Sequence, residues 1–182
     1  MNARKSTPDS VRPLPVLPDV LLPGLKLVFC GTAAGTVSAQ RGQYYAHPQN
    51  RFWEILYEAG FTPHRLAPAD YASLPAHGIG LTDVAKHSFG MDHELPRDAL
   101  GRMAADALRQ RIVQFAPRAL AFTSLKAGRS VLGRKIGVGL QPVRFGSTQI
   151  WVLPSPSPAA RKSWDAQPWH NLAHSLREIV PS

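Results

Sequence analysis

From Leu25 onward, short apolar runs alternate with stretches of helical periodicity, which restricts the chain to an α/β sandwich on a mainly parallel sheet. Residues 25–30 form an apolar, partly β-branched run that Gly31 stops, predicting a first strand. Over 48–59, Phe52, Ile55, Leu56 and Ala59 recur at helical spacing, and Gly60 ends the pattern. Residues 78–84 read as a second strand. The longest helical pattern, 97–115, sets Leu100, Met103, Ala104, Ala107, Leu108 and Ile112 on one face before Pro117. A third strand over 118–123 leads into a short helix over about 125–132. Two further strands, 143–145 and 149–153, pair around Gly146-Ser147. A closing helix over 167–180 turns Trp169, Leu172, Ala173, Leu176 and Ile179 inward. The expected architecture is a three-layer α/β/α sandwich. In such sheets ligands bind beyond the carboxyl ends of the strands, which singles out 31–45, 83–89 and 154–164.

Ahead of this pattern, residues 1–24 hold five prolines and several small polar residues. Residues 1–19 are expected to form a flexible tail, leaving 20–182 as a single domain. The 21 Lys and Arg outnumber the 12 Asp and Glu, for a net charge of +9. Such a charge on a small domain is the footprint of a polyanion-binding protein, nucleic acid first, with simple solubility as the alternative. The single cysteine, Cys30, cannot form an internal disulfide and suits a reducing cytoplasm, near the nucleoid in a bacterium. It reads as a small buried hydrophobe rather than a nucleophile. Cys and His never cluster at zinc spacing, which argues against the zinc-dependent base deaminases. No apolar run reaches membrane-spanning length, and no secretory signal pattern is present, so no membrane partner is expected.

Two segments carry residues suited to a nucleic-acid site. In 31–45 small residues allow close backbone approach to a planar ligand, and Tyr44 and Tyr45 are placed to stack on a base. The glycine spacing fits neither a dinucleotide-binding nor a phosphate-loop fingerprint, and an ordinary strand-to-helix loop looks similar. In 151–164, Pro154, Pro156 and Pro158 stiffen a loop that Arg161 and Lys162 follow. Rigid small-residue loops with adjacent cations suit phosphate contact, although a plain connector reads the same way.

The stretches Gly24-Leu-Lys-Leu-Val-Phe-Cys-Gly31, Ala46-His-Pro-Gln-Asn-Arg-Phe-Trp53, Glu58-Ala-Gly-Phe-Thr62 and Gly146-Ser-Thr-Gln-Ile-Trp-Val-Leu-Pro154 resemble the mismatch-specific uracil-DNA glycosylases, the group that includes thymine-DNA glycosylase. The matches run in family order from about Val20 to Val180. The resemblance implies a uracil-DNA glycosylase-like fold with a pocket for a flipped-out base. It also implies a monomer that acts on DNA and hydrolyses the N-glycosidic bond without metal or other cofactor. It makes Tyr45 the aromatic that stacks on the base, in a pocket with Gly31, Thr32, Ala33 and His47. It makes Ser155, Ser157, Ala159, Arg161 and Lys162 DNA-binding residues. Three positions depart from the family pattern. Ala33 stands where an asparagine usually positions the water, Ser155 where a second asparagine belongs, and Ala159 where a large apolar wedge fills the vacated stack.

Glycosidic cleavage builds positive charge on the sugar and negative charge on the leaving base, so a carboxylate near the sugar helps. Alanine at 33 cannot orient water. Asp83, read as ending the second strand at the sheet edge where the loops meet, is the candidate catalytic residue. Its structural alternative is a helix cap or a partner for Lys86, and Asp92 and Glu94 are the other acids in the region. His47 either holds the pocket loop or donates to the base. Arg161 binds phosphate or, in place of Ala159, acts as a wedge. The expected substrate is uracil opposite guanine first, then uracil in other pairs and in single strands, with hypoxanthine and ethenocytosine left open. A DNA-damage binder without catalysis and a hypoxanthine-specific glycosylase are the competing readings.

Overall fold

The computed structural model describes residues 14–178. Its sheet has five strands in the order β2-β1-β3-β5-β4. Strands β1 (Leu27–Ala34), β2 (Ile79–Phe89), β3 (Ala119–Phe122) and β5 (Thr148–Val152) are parallel. Strand β4 (Gly139–Phe145) runs antiparallel to β5 through a tight turn at Gly146, whose φ of 59° suits glycine. Helices α1 (Thr36–Arg41), α2 (Phe52–Glu58) and α5 (Gln167–Glu178), with a 3₁₀ helix at Pro68–His77, cover one face. Helices α3 (Arg102–Phe115) and α4 (Leu125–Leu132) cover the other. The expected α/β/α layering is therefore present.

Alternation along the strands divides the core in two. Leu27, Phe29, Leu81, Ala121 and Trp151 point towards α2 and α5, where Phe29 meets Phe52 edge-on at 5.3 Å and stacks on Trp169 at 5.5 Å. Val28, Cys30, Leu120, Phe122 and Val152 point towards α3 and α4. Helix α4 begins where Ser124 caps it by accepting from the Ala127 N–H at 3.0 Å.

Several elements differ from the sequence reading in ways that matter for the site. Gly31 does not stop β1. The strand continues to Ala34 because β2 runs beside it, pairing Gly31 with Asp83 and Ala33 with Ala85. Strand β2 likewise continues to Phe89, so Asp83 lies in mid-strand and not at the strand's end. Both edges of β2 are occupied. On the outer edge lies the chain that enters the domain, with Val16 N–H donating to Lys86 O at 2.7 Å and Val20 paired with Leu81. Leu17 in this segment is fully buried. Residues 14–19, read as tail from composition, thus pack on the domain, while residues 1–13 lie outside the described residues. Helix α3 starts only at Arg102 and buries Ala105, Leu108 and Ile112. Met103 and Ala107, two residues either side of Ala105 and so about 200° around the helix, face solvent instead of the core. Ile179, expected on the closing helix from sequence, lies outside the described residues.

Candidate active site

The site is a row across the carboxyl half of the parallel sheet. Asp83 on β2 sits opposite Gly31 on β1, and Thr123 follows directly on β3, its N–H donating to Cys30 O at 2.9 Å. Gly31 has no positive φ, so its value is space rather than conformational freedom. A methyl group there would lie 2.7 Å from Asp83 Oδ1, 3.4 Å from the Tyr45 hydroxyl and 3.8 Å from Thr123 Oγ1. Three polar side chains thus converge on the gap that the glycine leaves.

Tyr45 is held there from several directions. Its hydroxyl and Thr123 Oγ1 are 3.1 Å apart, and its ring stacks on Phe52 at 3.9 Å and 16°. Its φ of 52° is a strained value for a tyrosine, costing on the order of 1 kcal/mol or more, which the surrounding contacts offset. Those contacts include the neighbouring residues: Tyr44 O accepts from the Trp53 indole at 3.1 Å, and Ala46 N–H donates to the buried Ser38 hydroxyl at 3.0 Å. One face of the Tyr45 ring is occupied by Phe52, and the residue is only partly buried.

Asp83 is 4% exposed, and among the described residues the one side-chain hydrogen bond it receives, from Arg111, goes to its backbone oxygen and not to its carboxylate. Burial pushes its pKa up to about 6; Lys86 and Arg111 pull it down and Asp19 pushes it up. Lys86, the suggested partner, pairs instead with Asp19 at 2.7 Å. Asp83 is also no helix cap, since it lies within β2. The same buried setting raises the Tyr45 and Tyr44 hydroxyls and the Cys30 thiol well above their ordinary ranges, leaving all three neutral near pH 7. A largely buried carboxylate that keeps some solvent contact, with a proton affinity close to working pH and no donor of its own, is suited to take a proton from water. The other two acids are already engaged on an exposed loop. Asp92 lies 3.7 Å from Lys126, and Glu94 accepts from the Met91 N–H at 2.6 Å.

The remaining residues singled out from sequence fall in three places. Ala33 lies on the Gly31 strand beside Ala85. Thr32 points to the opposite face, 3.3 Å from the Ser124 hydroxyl at the start of α4, so it is not brought to Asp83. His47 is exposed, and its Nδ1 accepts from the Gln49 N–H at 3.1 Å, which holds the turn into α2. This turn meets the proline loop directly: Arg51 N–H donates to Pro156 O at 2.9 Å, the Arg51 guanidinium lies 5.6 Å from the Trp164 ring centre, and Arg161 reaches Gln49 Oε1 at 3.4 Å. In the loop the Ser155 hydroxyl accepts from Ser157 N–H at 3.2 Å, and the Ser157 hydroxyl accepts from Ala159 N–H at 3.3 Å. Both serines therefore shape a 3₁₀ turn, Pro158–Ser163, that presents exposed Ala159, Arg161 and Lys162.

Thr123 and Asp19 escaped the sequence reading. Thr123 had a usable signal, being the first polar residue after an apolar strand on the ligand-binding edge. Asp19 had none. A surface cleft of about 380 Å³ opens elsewhere, at the amino ends of the strands around Lys26, Ile79 and Arg118, and among the described residues no carboxylate lines it.

The chain is thus an α/β protein with a mainly parallel sheet between helical layers and, at one edge, a buried carboxylate, an anchored aromatic and a cationic loop. The family model "Uracil DNA glycosylase superfamily" matches residues 18–173, and the chain belongs to that superfamily as a DNA glycosylase. Among solved structures, the solution structure of a candidate uracil DNA glycosylase from Methanosarcina acetivorans is similar in fold. It has a TM-score of 0.62 and 23% identity over 88% of this chain and 96% of that one.

Proposed function

We propose that this chain is a monofunctional uracil-DNA glycosylase that draws a nucleotide out of the duplex and hydrolyses its N-glycosidic bond, with Asp83 assisting the water. The reading is carried by one observation: the Asp83 carboxylate is buried and unpartnered above the gap at Gly31, within reach of where the Tyr45 hydroxyl points. In this scheme the C1′–N1 bond breaks with its electron pair leaving on uracil. Water adds to C1′ as Asp83 takes its proton, leaving an abasic sugar. The carboxylate also stabilises the positive charge that develops on the sugar. Tyr45 and the backbone near Gly31 and Ala33 border the base. His47 contributes by holding the turn, and Arg161 and Lys162 meet phosphate, with Ser155 and Ser157 shaping the loop that carries them.

The mismatch-specific branch is favoured by the four ordered motif matches, and uracil opposite guanine is the preferred substrate. Flipping costs a few kcal/mol and least at weak pairs. With small, exposed Ala159 at the loop tip, weakly paired and single-stranded uracil should also be accepted. The experiment is a labelled duplex with one U:G pair, incubated with the full chain in EDTA and then alkali. Strand cleavage at the uracil supports the proposal. Retained binding without cleavage would make the protein a damage binder, and cleavage only when hypoxanthine replaces uracil would place it in the hypoxanthine-specific branch.

A further inference from the structure

Four charged side chains meet where the entering segment crosses β2: Asp19, Asp83, Lys86 and Arg111. Two cations and a hydroxyl gather on the Asp19 carboxylate, with Arg111 in ion-pair range but not hydrogen-bonded through Nε. Lys86 Nζ lies at 2.7 Å and Thr82 Oγ1 at 2.7 Å from one oxygen, and Arg111 Nε at 3.3 Å from the other. Asp83, one residue from Thr82 and three from Lys86, receives none of them on its carboxylate. Lys86 is buried, and its other polar neighbour is the Tyr44 hydroxyl at 3.2 Å, which in turn donates to Pro18 O at 3.1 Å. Arg111 also donates to Asp83, but to the backbone oxygen, at 3.1 Å. The two cations are thus matched by two acids, yet the pairing is uneven. One acid takes both cations while the other is left open to the site.

We propose that Asp19 is a positioning residue for the glycosylase reaction: by holding Lys86 and Arg111 it keeps the Asp83 carboxylate free of an ion pair and available to accept a proton from water. This rests on the reading of Asp83 as the catalytic acid–base group. A buried ammonium left without its anion is costly and turns to the nearest remaining carboxylate. With Asp19 gone, that carboxylate is Asp83. An ion-paired carboxylate binds a proton less readily, and the catalyst becomes a weaker base. The other groups facing Asp83 add no charge near neutral pH: the Tyr45 and Tyr44 hydroxyls come from the loop before α2, and the Thr123 hydroxyl follows β3; the Cys30 thiol, on the opposite face of β1, is also neutral. The segment 14–20 therefore does more than cover a sheet edge, because it delivers the carboxylate that sets the charge balance of the site.

The test is the pH dependence of single-turnover uracil excision from a U:G duplex by the full chain and three variants. The reaction needs ionised Asp83, so the rate falls as pH drops through its pKa. Asp19→Asn removes a negative charge and frees Lys86, and should move this acid limb to lower pH by about 1 pH unit or more. Lys86→Met removes a positive charge and should move it to higher pH. Asp19→Glu should restore a limb near that of the wild type. A merely structural Asp19 would lower the rate at all pH values alike, so an unmoved limb in Asp19→Asn overturns the inference. If Asp19→Asn does not fold, an unmoved limb in Lys86→Met overturns it equally. Loss of all uracil excision by the wild type would instead defeat the functional reading itself.

Discussion

Replacing Asp83 with asparagine exchanges a buried charge for a neutral side chain of nearly the same shape, and the structure sets the size and sign of the result. The carboxyl titrates at about 6 against an ordinary 3.8 because burial disfavours its ionised form. At about 1.4 kcal/mol per tenfold change in proton affinity, the gap corresponds to roughly 3 kcal/mol of native-state destabilisation once Asp83 is ionised. The raised value fixes the direction. As pH falls from about 6 towards 4 the native state takes up its proton before the unfolded chain does, and the destabilisation is relieved. Asp83→Asn should therefore be more stable than wild type by about 3 kcal/mol at pH 8, a rise in melting temperature on the order of 6–12 °C for a domain of this size. That advantage should disappear near pH 4. Thermal unfolding of both proteins by circular dichroism at pH 8, 6 and 4 measures it. A variant less stable than wild type at pH 8, or an advantage that does not shrink with acid, would refute the view of Asp83 as a buried, unpartnered carboxylate.

Other consequences are simpler to check. Gly31→Ala puts a methyl group 2.7 Å from Asp83 Oδ1, so excision should fall about a hundredfold while circular dichroism and melting show a folded protein. Cys30 is fully buried and its thiol is held protonated, so a thiol reagent should label it only after denaturation. If Arg161 and Lys162 each neutralise a phosphate, replacing both with alanine should flatten the plot of log affinity against log salt by a slope of about 2, measured by fluorescence anisotropy.

How far the fold was legible in the sequence depended on how local its causes are. Helix α4 was read to within a residue because Ser124 caps it and Gly133 follows it, both local signals. The β4–β5 turn was legible for the same reason, since Gly146 must adopt a positive φ. The lengths of β1 and β2 were not, because Gly31 breaks a strand only when nothing pairs beside it, and the pairing partner lies some 50 residues away in sequence. Met103 was misplaced because the core-facing row is Leu100, Ala104, Leu108 and Ile112, at four-residue spacing, and Met103 lies about 140° around the helix from Leu108. The packing of 14–19 was hidden by its prolines. They suggest disorder but are tolerated on a sheet edge, where Val16 and Val20 supply the needed N–H groups. For the site, residue types pointed to Asp83, Tyr45 and Gly31, and the structure gathers those three. Thr32 left the group because strand alternation, once β1 extends past Gly31, sends it to the other face.

The most direct test of the account is the single-turnover rate of uracil release from a U:G duplex by wild type and Asp83→Asn, with binding to a duplex containing an abasic analogue measured alongside. The account predicts excision by the wild type, a loss of about 10²–10⁴-fold in the variant, and unchanged binding. An Asp83→Asn protein that released uracil at the wild-type rate would contradict it.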